Sequence, residues 1–271
     1  MAGFLLPPTY RPPPTLPWEE TLAHVLLGVV LSVALLLLVH LSRLSLARFR
    51  RTRRRRLPLY LALAWIDLVA AIIHSCLGWC VGHGRCPAQP SLWFFLGVIL
   101  CWAVERHCLA QILANRVAVL LSSGVTARRL KWGVFVGTLV LTVSVVVVWT
   151  PGAMMISLAW VRANEVWDRG EKICFMVGEV GLNGYFVWVV RQELVRRHGL
   201  EMYGGLWRVN VGMVAASLVL DAAVVASTWF PDYWIYVQFR PLVNLVKLYF
   251  ELCNAELIGK VAVASVRARS R

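Results

Sequence analysis

The amino-acid sequence predicts an all-α, polytopic membrane protein with seven transmembrane helices. Hydrophobic residues make up 59% of the 271 residues, charged residues only 15%, and the mean hydropathy is +0.67. A soluble domain carries about 25% charged residues. Apolar stretches long enough to cross a hydrocarbon core of about 30 Å recur along the chain. Lys and Arg are concentrated in alternate connections between these stretches, as in multi-pass membrane proteins.

The apolar stretches are predicted to be helices, because a backbone in lipid must satisfy its own hydrogen bonds. They cover 22–42, 59–81, 91–121, 132–150, 172–190, 210–230 and 236–259. The predicted organisation is a Pro-rich extended leader, a seven-helix bundle and a basic cytoplasmic tail, at 1–20, 21–260 and 261–271. Segment 151–171 is predicted to form a short amphipathic helix on the outer surface, either as a lid over an internal site or as a plain connector.

The positive charges predict the orientation of the bundle. Nineteen Lys and Arg residues fall in the connections after the first, third and fifth stretches and in the tail, against six in the leader and the other connections. The N-terminus is therefore predicted to be outside or lumenal and the C-terminus cytoplasmic, in the endoplasmic reticulum or the plasma membrane. The net charge of +14 is explained by this topology, and nucleic acid is not an expected partner.

Cysteine spacing gives little evidence for a metal site. Cys80 and Cys86 bracket the first outer connection, where a disulfide and two free thiols are both open interpretations. His83 lies between them, but no fourth zinc ligand is in sight. The sequence contains no HExxH, no paired CxxC and no phosphate-binding glycine loop. It therefore predicts no metal and no cofactor.

Polar residues recur at helical spacing within five of the stretches, which places them on inward faces. The seventh stretch has the most continuous stripe, formed by Arg240, Asn244, Lys247, Glu251 and Asn254. The other stripes consist of Asp67 and His74; Glu105, Cys108, Gln111 and Asn115; Glu179 and Asn183; and Asn210, Ser217, Asp221 and Thr228. The first and fourth stretches have no acid or base at membrane depth and are predicted to face lipid.

Ionisable groups at membrane depth are costly unless they have partners or a wet cavity. Lys247 and Glu251 lie one turn apart and are expected to pair, whereas Arg106 needs a partner of its own. Acids outnumber bases at mid-depth, so at least one carboxyl is expected to hold a proton at neutral pH. Two interpretations stay open: buried pairs that hold the bundle together, and acid–base groups of an internal site.

The segment 110–260 resembles a large set of fungal seven-helix integral membrane proteins of mostly unknown function. The residues that carry this resemblance are Gln111, Asn115-Arg116, Arg129-Leu130-Lys131-Trp132, Asn164-Glu165, Trp167-Asp168-Arg169, Glu171-Lys172, Leu182-Asn183, Phe186, Val190-Arg191, Gly199-Leu200, Asp221, Tyr236-Val237-Gln238-Phe239-Arg240-Pro241-Leu242, Val246-Lys247-Leu248 and Glu251. Similar small membrane proteins occur in terpenoid and indole-diterpene pathways, so the resemblance implies secondary-metabolite biosynthesis. Arg240 departs from the family pattern, in which a histidine is usual.

The acids of the interior favour a proton-initiated cyclase or isomerase that acts on a prenylated, lipophilic substrate without a metal. Glu105, Glu179, Asp221 and Glu251 are the candidate acids and bases. Asp67, Asn183, Lys247 and Trp102 are expected to contact the substrate. The expected partners are the lipid bilayer, a hydrophobic small molecule and other enzymes of the pathway.

Two alternatives stay open beside the enzyme: a receptor-like sensor and a non-catalytic pathway scaffold. Seven helices and an outer N-terminus suit a receptor, although Asn115-Arg116-Val117 is only faintly similar to the receptor Asp-Arg-Tyr sequence. A retinal protein is disfavoured because Val243 occupies the position, four residues before Lys247, where an acid is expected. A transporter is disfavoured by the lack of an inverted repeat.

Overall fold

The computed structural model describes residues 17–51, 58–82, 92–121, 123–192, 203–227 and 233–269. These residues form seven helices, and none of them is in a strand. The helices are α1 (Pro17–Arg51), α2 (Leu59–Gly82), α3 (Leu92–Leu120), α4 (Gly124–Ala153), α5 (Leu158–Val190), α6 (Tyr203–Ser227) and α7 (Tyr233–Arg269). The all-α prediction is confirmed for this part of the chain. Most of the leader, His83, Cys86 and Thr228 lie outside the described residues.

Five helices, α1 to α5, are long and apolar enough to cross a membrane by length and composition. The described part of α6 contributes a shorter apolar stretch, Val211–Ser227. Large apolar side chains are exposed along α1 and α4, including Leu35, Leu36 and Val140. An outer surface of this kind is consistent with a helical membrane protein.

The helices pack in chain order, and α7 returns to close the bundle against α1 and α2. Helix α3 also contacts α5 and α7 and therefore lies near the centre. One apolar core joins α1, α2 and α7 around Leu37, Leu68 and Leu248, and a second joins α3, α4 and α7 around Phe95 and Trp149. Buried polar residues lie on α2, α3, α5, α6 and α7.

The connection between α4 and α5 differs from the prediction. No separate surface helix forms, because α5 begins at Leu158 and runs without a break through the predicted span. Ser157 caps its first turn by accepting a hydrogen bond from the backbone N–H of Trp160 at 3.5 Å. Gly152 permits the tight corner, since a Cβ there would lie 2.8 Å from Cβ of Asn164. Likewise, α7 continues to Arg269, through most of the predicted tail.

Candidate functional site

A buried lysine joins three helices in the polar interior. Nζ of Lys247 on α7 lies 2.7 Å from Oε2 of Glu179 on α5 and also donates to Oδ1 of Asp221 on α6. Ser217 donates a hydrogen bond to the other carboxyl oxygen of Glu179. We call these four residues the Lys247 cluster. Two carboxyls share one ammonium group, so the cluster is electrically neutral when one carboxyl holds a proton.

Glu251 belongs to a different ion pair, and the predicted pairing with Lys247 is wrong. Arg116 on α3 donates to Oε1 of Glu251 at 2.8 Å and to the side-chain oxygen of Asn183. The Arg116 guanidinium also lies 4.1 Å from the ring centroid of Phe186. Lys247 and Glu251 share a helix face, but each has a partner on a neighbouring helix. Helical spacing alone does not reveal such partners.

Asp67 and Glu105 lie on another side of the interior. Nδ1 of His74 is 2.8 Å from Oε1 of Glu105, which links α2 to α3. Asn244 on α7 donates to Oδ1 of Asp67 at 3.0 Å. The second oxygen of Asp67 has no hydrogen-bond partner in the part of the chain that the structure describes. These residues therefore connect α2, α3 and α7, and no hydrogen bond or ion pair among the described residues joins them to the Lys247 cluster.

The N-terminal half of α5 contains a third ion-pair group, which the sequence placed on the outer surface. Arg240 on α7 donates to Glu171, and Lys172 contacts Asp168 one turn earlier. Glu171 and Lys172 are buried. The Arg240 guanidinium lies 5.0 Å from the ring centroid of Trp102. These residues pack inside the bundle because α5 is longer than the predicted span.

A cleft of about 820 Å³ lies between α3, α4 and α5. Its lining is mostly apolar and includes Leu109, Val134 and Phe175. Three charged residues, Arg106, Arg129 and Glu179, also line it. Its walls contain four glycines, Gly133, Gly137, Gly178 and Gly181, and a Cβ at any of them would meet no other atom within 4 Å. The missing side chains leave this space open.

Two small inner pockets adjoin the cleft. Glu179 lines both the cleft and a pocket that also contains Asn183, Ser217, Lys247 and Glu251. Arg106 and Phe175 line both the cleft and a second pocket, which contains Glu171, Lys172, Asp221 and Arg240. The polar interior is therefore separated from the cleft by a few side chains.

The structure brings only some of the predicted site residues together. Glu179, Asp221 and Lys247 are in contact, and Asn183 and Glu251 share the pocket beside them. Glu105 and Asp67 are buried elsewhere. Trp102 packs edge-to-face on Phe175, with ring centroids 6.0 Å apart, so Phe175 and not Trp102 faces the cleft.

Sequence reasoning missed Arg116 and Glu171 as buried ion-pair partners, and it missed the cleft. For Arg116, the signal in the sequence was its position directly after Asn115, the last residue of the polar stripe in the third stretch. For Glu171 the signal was its sequence position directly before the predicted fifth span. Nothing in the one-dimensional pattern indicated that α3, α4 and α5 leave a cleft.

Comparison with known proteins identifies no relative. No family model matches the chain, and neither a curated protein nor a solved structure matches it. The resemblance to fungal seven-helix proteins therefore stays a prediction. Among the described residues, no group of three or more His, Cys, Asp and Glu side chains is arranged to hold a metal ion.

Proposed function

We propose that this protein binds a lipophilic, prenylated small molecule in the cleft and isomerises or cyclises it by acid–base catalysis. One observation carries the proposal: the Glu179 carboxyl lines an apolar cleft while Lys247 and Ser217 hold it from behind. A proton donor beside a water-poor pocket is what proton-initiated chemistry on an alkene or epoxide requires.

The dimensions and lining of the cleft support a substrate of this class. Its volume of about 820 Å³ falls within the range of about 300–1,000 Å³ that small-molecule sites occupy. Exposed apolar residues flank it on α4 and α5, among them Val136 and Val177. A molecule dissolved in the bilayer would therefore reach the cleft without crossing water.

The proposed reaction uses one proton and returns it. The proton held by the carboxyl pair of Glu179 and Asp221 passes through Glu179 to an epoxide oxygen or an alkene carbon, and the C–O bond breaks or the π bond opens to leave a cationic carbon. An internal alkene attacks that carbon to close a ring. A proton leaves a neighbouring carbon and returns to the carboxyl pair of Glu179 and Asp221, so the product is an isomer of unchanged mass.

The proposal includes a topology of seven spans with the N-terminus outside or lumenal and the C-terminus cytoplasmic. The unequal distribution of Lys and Arg supports it. The resemblance to fungal membrane proteins supports a role in a secondary-metabolite pathway, in the endoplasmic reticulum or the plasma membrane.

A ligand sensor is the second candidate, and the position of Lys247 favours it. This residue connects α5, α6 and α7, and its partner Glu179 lines the cleft. A ligand that displaced Glu179 would change contacts between three helices at once. A sensor of this kind would bind the same class of molecule without converting it.

The test of the enzyme is conversion by microsomes that contain the protein. They would receive a panel of polyprenyl and prenyl-indole epoxides, and the extracts would be separated by chromatography for a product of unchanged mass. We expect the wild type to form an isomer and Glu179→Gln to form less than a hundredth as much. Glu165→Gln is the matched control, because Glu165 is exposed on the same helix.

Two outcomes would contradict the proposal. If Glu179→Gln converted the substrate as fast as the wild type, Glu179 would not be the proton donor. Binding of the panel without any conversion by the wild type would favour the sensor.

A further inference from the structure

We propose that the ligand of the cleft is an anionic amphiphile whose carboxylate or phosphate group binds Arg106. This inference rests on the proposed function in that it takes the cleft to be the ligand site, and it adds the chemical class of the ligand. It is argued from the charge of the cleft wall.

Arg106 differs from the other buried or half-buried arginines and lysines of the interior. Arg116, Lys172, Arg240 and Lys247 each contact a carboxylate. Arg106 lies near the middle of α3 and shares the second inner pocket with Asp221 and Glu171. No carboxylate of the described residues comes within the 4.0 Å of an ion pair with it, because Asp221 is in contact with Lys247 and Glu171 with Arg240. A guanidinium at membrane depth is costly without a directly bound anion, and a ligand in the cleft can supply that contact.

The Arg106 side chain is positioned to meet a ligand. It lines the cleft together with Phe175, and its guanidinium lies 5.7 Å from the ring centroid of that residue. Stacking on an aromatic face restricts an arginine and leaves its N–H groups free in the plane. A carboxylate or a phosphate can accept two parallel hydrogen bonds from such a fork.

The remaining charges of the cleft favour an anion over a neutral or cationic ligand. Arg129 on α4 is exposed at the same cleft. Among the described residues, Glu179 is the only carboxyl that lines the cleft, and Lys247 contacts it from behind. The wall therefore has an excess of positive charge, while Leu109, Val134 and the open glycine surface accommodate a long apolar body.

The test is direct binding to the purified full chain in a neutral detergent. Hexadecanoic acid and its methyl ester, each with the same fluorescent reporter on the chain, differ only in the charge of the head. We expect the acid to bind at least tenfold more tightly than the ester. Arg106→Gln should remove that difference without weakening ester binding, and Arg106→Lys should restore part of it. Arg162→Gln, an exposed arginine on α5, is the control.

Equal affinity of the wild type for acid and ester would overturn the inference while leaving the cleft as a lipophilic site. Loss of the acid preference in Arg129→Gln but not in Arg106→Gln would also overturn it. Failure of both ligands to bind would contradict the proposed function as well. A misfolded Arg106→Gln is recognised by loss of ester binding, and Arg106→Lys then decides. A lysine keeps the charge but lacks the planar fork of N–H groups, so it should keep only part of the preference for the acid, and an undiminished preference would overturn the inference.

The anion can come from the bilayer or from a free amphipathic acid. Reconstitution into discs of phosphatidylcholine alone or with phosphatidylglycerol separates the two sources. If a bilayer lipid occupies the cleft, phosphatidylglycerol will weaken binding of the acid at least fivefold in the wild type and leave Arg106→Gln unaffected. Unchanged binding of the acid identifies a free acid as the ligand.

Discussion

The side chains of Glu179 and Lys247 are 2.7 Å apart and join α5 to α7. Glu179 lines the cleft, whereas Lys247, which is 2% exposed, lies behind it. The same ammonium group also contacts Asp221 on α6. The same group of ion pairs therefore holds three helices together and places a carboxyl in the wall of the cleft.

Removal of the lysine should destabilise the bundle. Lys247→Met leaves two carboxyls buried without their cation, and loss of one member of a buried ion pair costs about 3–5 kcal/mol. We expect a lower midpoint of unfolding when the detergent-solubilised protein is titrated with dodecyl sulfate. The double variant Lys247→Met/Glu179→Gln should recover part of the loss, because it leaves one stranded carboxyl where the single variant leaves two. A single variant as stable as the wild type would show that the cluster contributes nothing to packing.

The pair of Arg116 and Glu251 should behave as a structural connection between α3 and α7. Arg116→Gln and Glu251→Gln are each expected to lower stability, and a double-mutant cycle should give a coupling energy of about 0.5–3 kcal/mol. The measurement is the same titration with dodecyl sulfate. If the losses of stability in the two single variants simply added up in the double variant, Arg116 and Glu251 would not be in contact. The sequence alone made Glu251 a candidate acid or base, but its ion pair with Arg116 on α3 favours a role in packing.

Filling the cleft should abolish ligand binding without harming the fold. A leucine at Gly181 would project into the cleft, where a Cβ meets nothing within 4 Å. Gly184→Leu is the control, since Gly184 lies on the same helix, has equal space and does not line the cleft. We expect Gly181→Leu to reduce binding of the fluorescent acid and ester at least tenfold and Gly184→Leu to leave it within twofold. Equal effects of the two variants would show that the ligand binds elsewhere.

The topology gives a prediction that is independent of the cleft. A glycosylation acceptor sequence added with a flexible spacer before residue 1 should be modified in microsomes, because the N-terminus is proposed to be outside or lumenal. The same sequence added after residue 271 should stay unmodified. A shift in electrophoretic mobility reports each result. Modification at the C-terminus alone would reverse the proposed orientation.

The sequence was sufficient to predict the helices and much of the polar interior, because both depend on local periodicity. The five residues of the stripe from Arg240 to Asn254 are all buried. Lys247, Glu251 and Asn254 also line one of the small inner pockets. The partners of those residues could not be predicted, since they depend on how neighbouring helices rotate. Glu171 and Lys172 were predicted to lie outside, because the predicted fifth span begins where the charged segment ends. In the structure both are buried, since Glu171 is paired with Arg240 and Lys172 with Asp168.

The cleft could not be predicted, for a different reason. It arises because four of the positions that line it are glycines, which have no side chain to fill the space: Gly133, Gly137, Gly178 and Gly181. They lie on two different helices, and their spacing along the sequence does not reveal that they face the same space. A glycine in an apolar stretch is equally compatible with close helix packing. Only the spacing of α3, α4 and α5 distinguishes an open groove from a tight contact.

The most direct test of the central claim is to locate a lipophilic ligand on the protein. A polyprenyl epoxide that carries a diazirine would be photolysed with the full chain in discs, and the labelled peptides would be identified by mass spectrometry. The proposal predicts labelling of cleft residues on α3, α4 and α5, such as Leu109, Val134 and Leu182, and its loss in Gly181→Leu. Labelling that is confined to the outer faces of α1 or α7, or that is unchanged in Gly181→Leu, would contradict it.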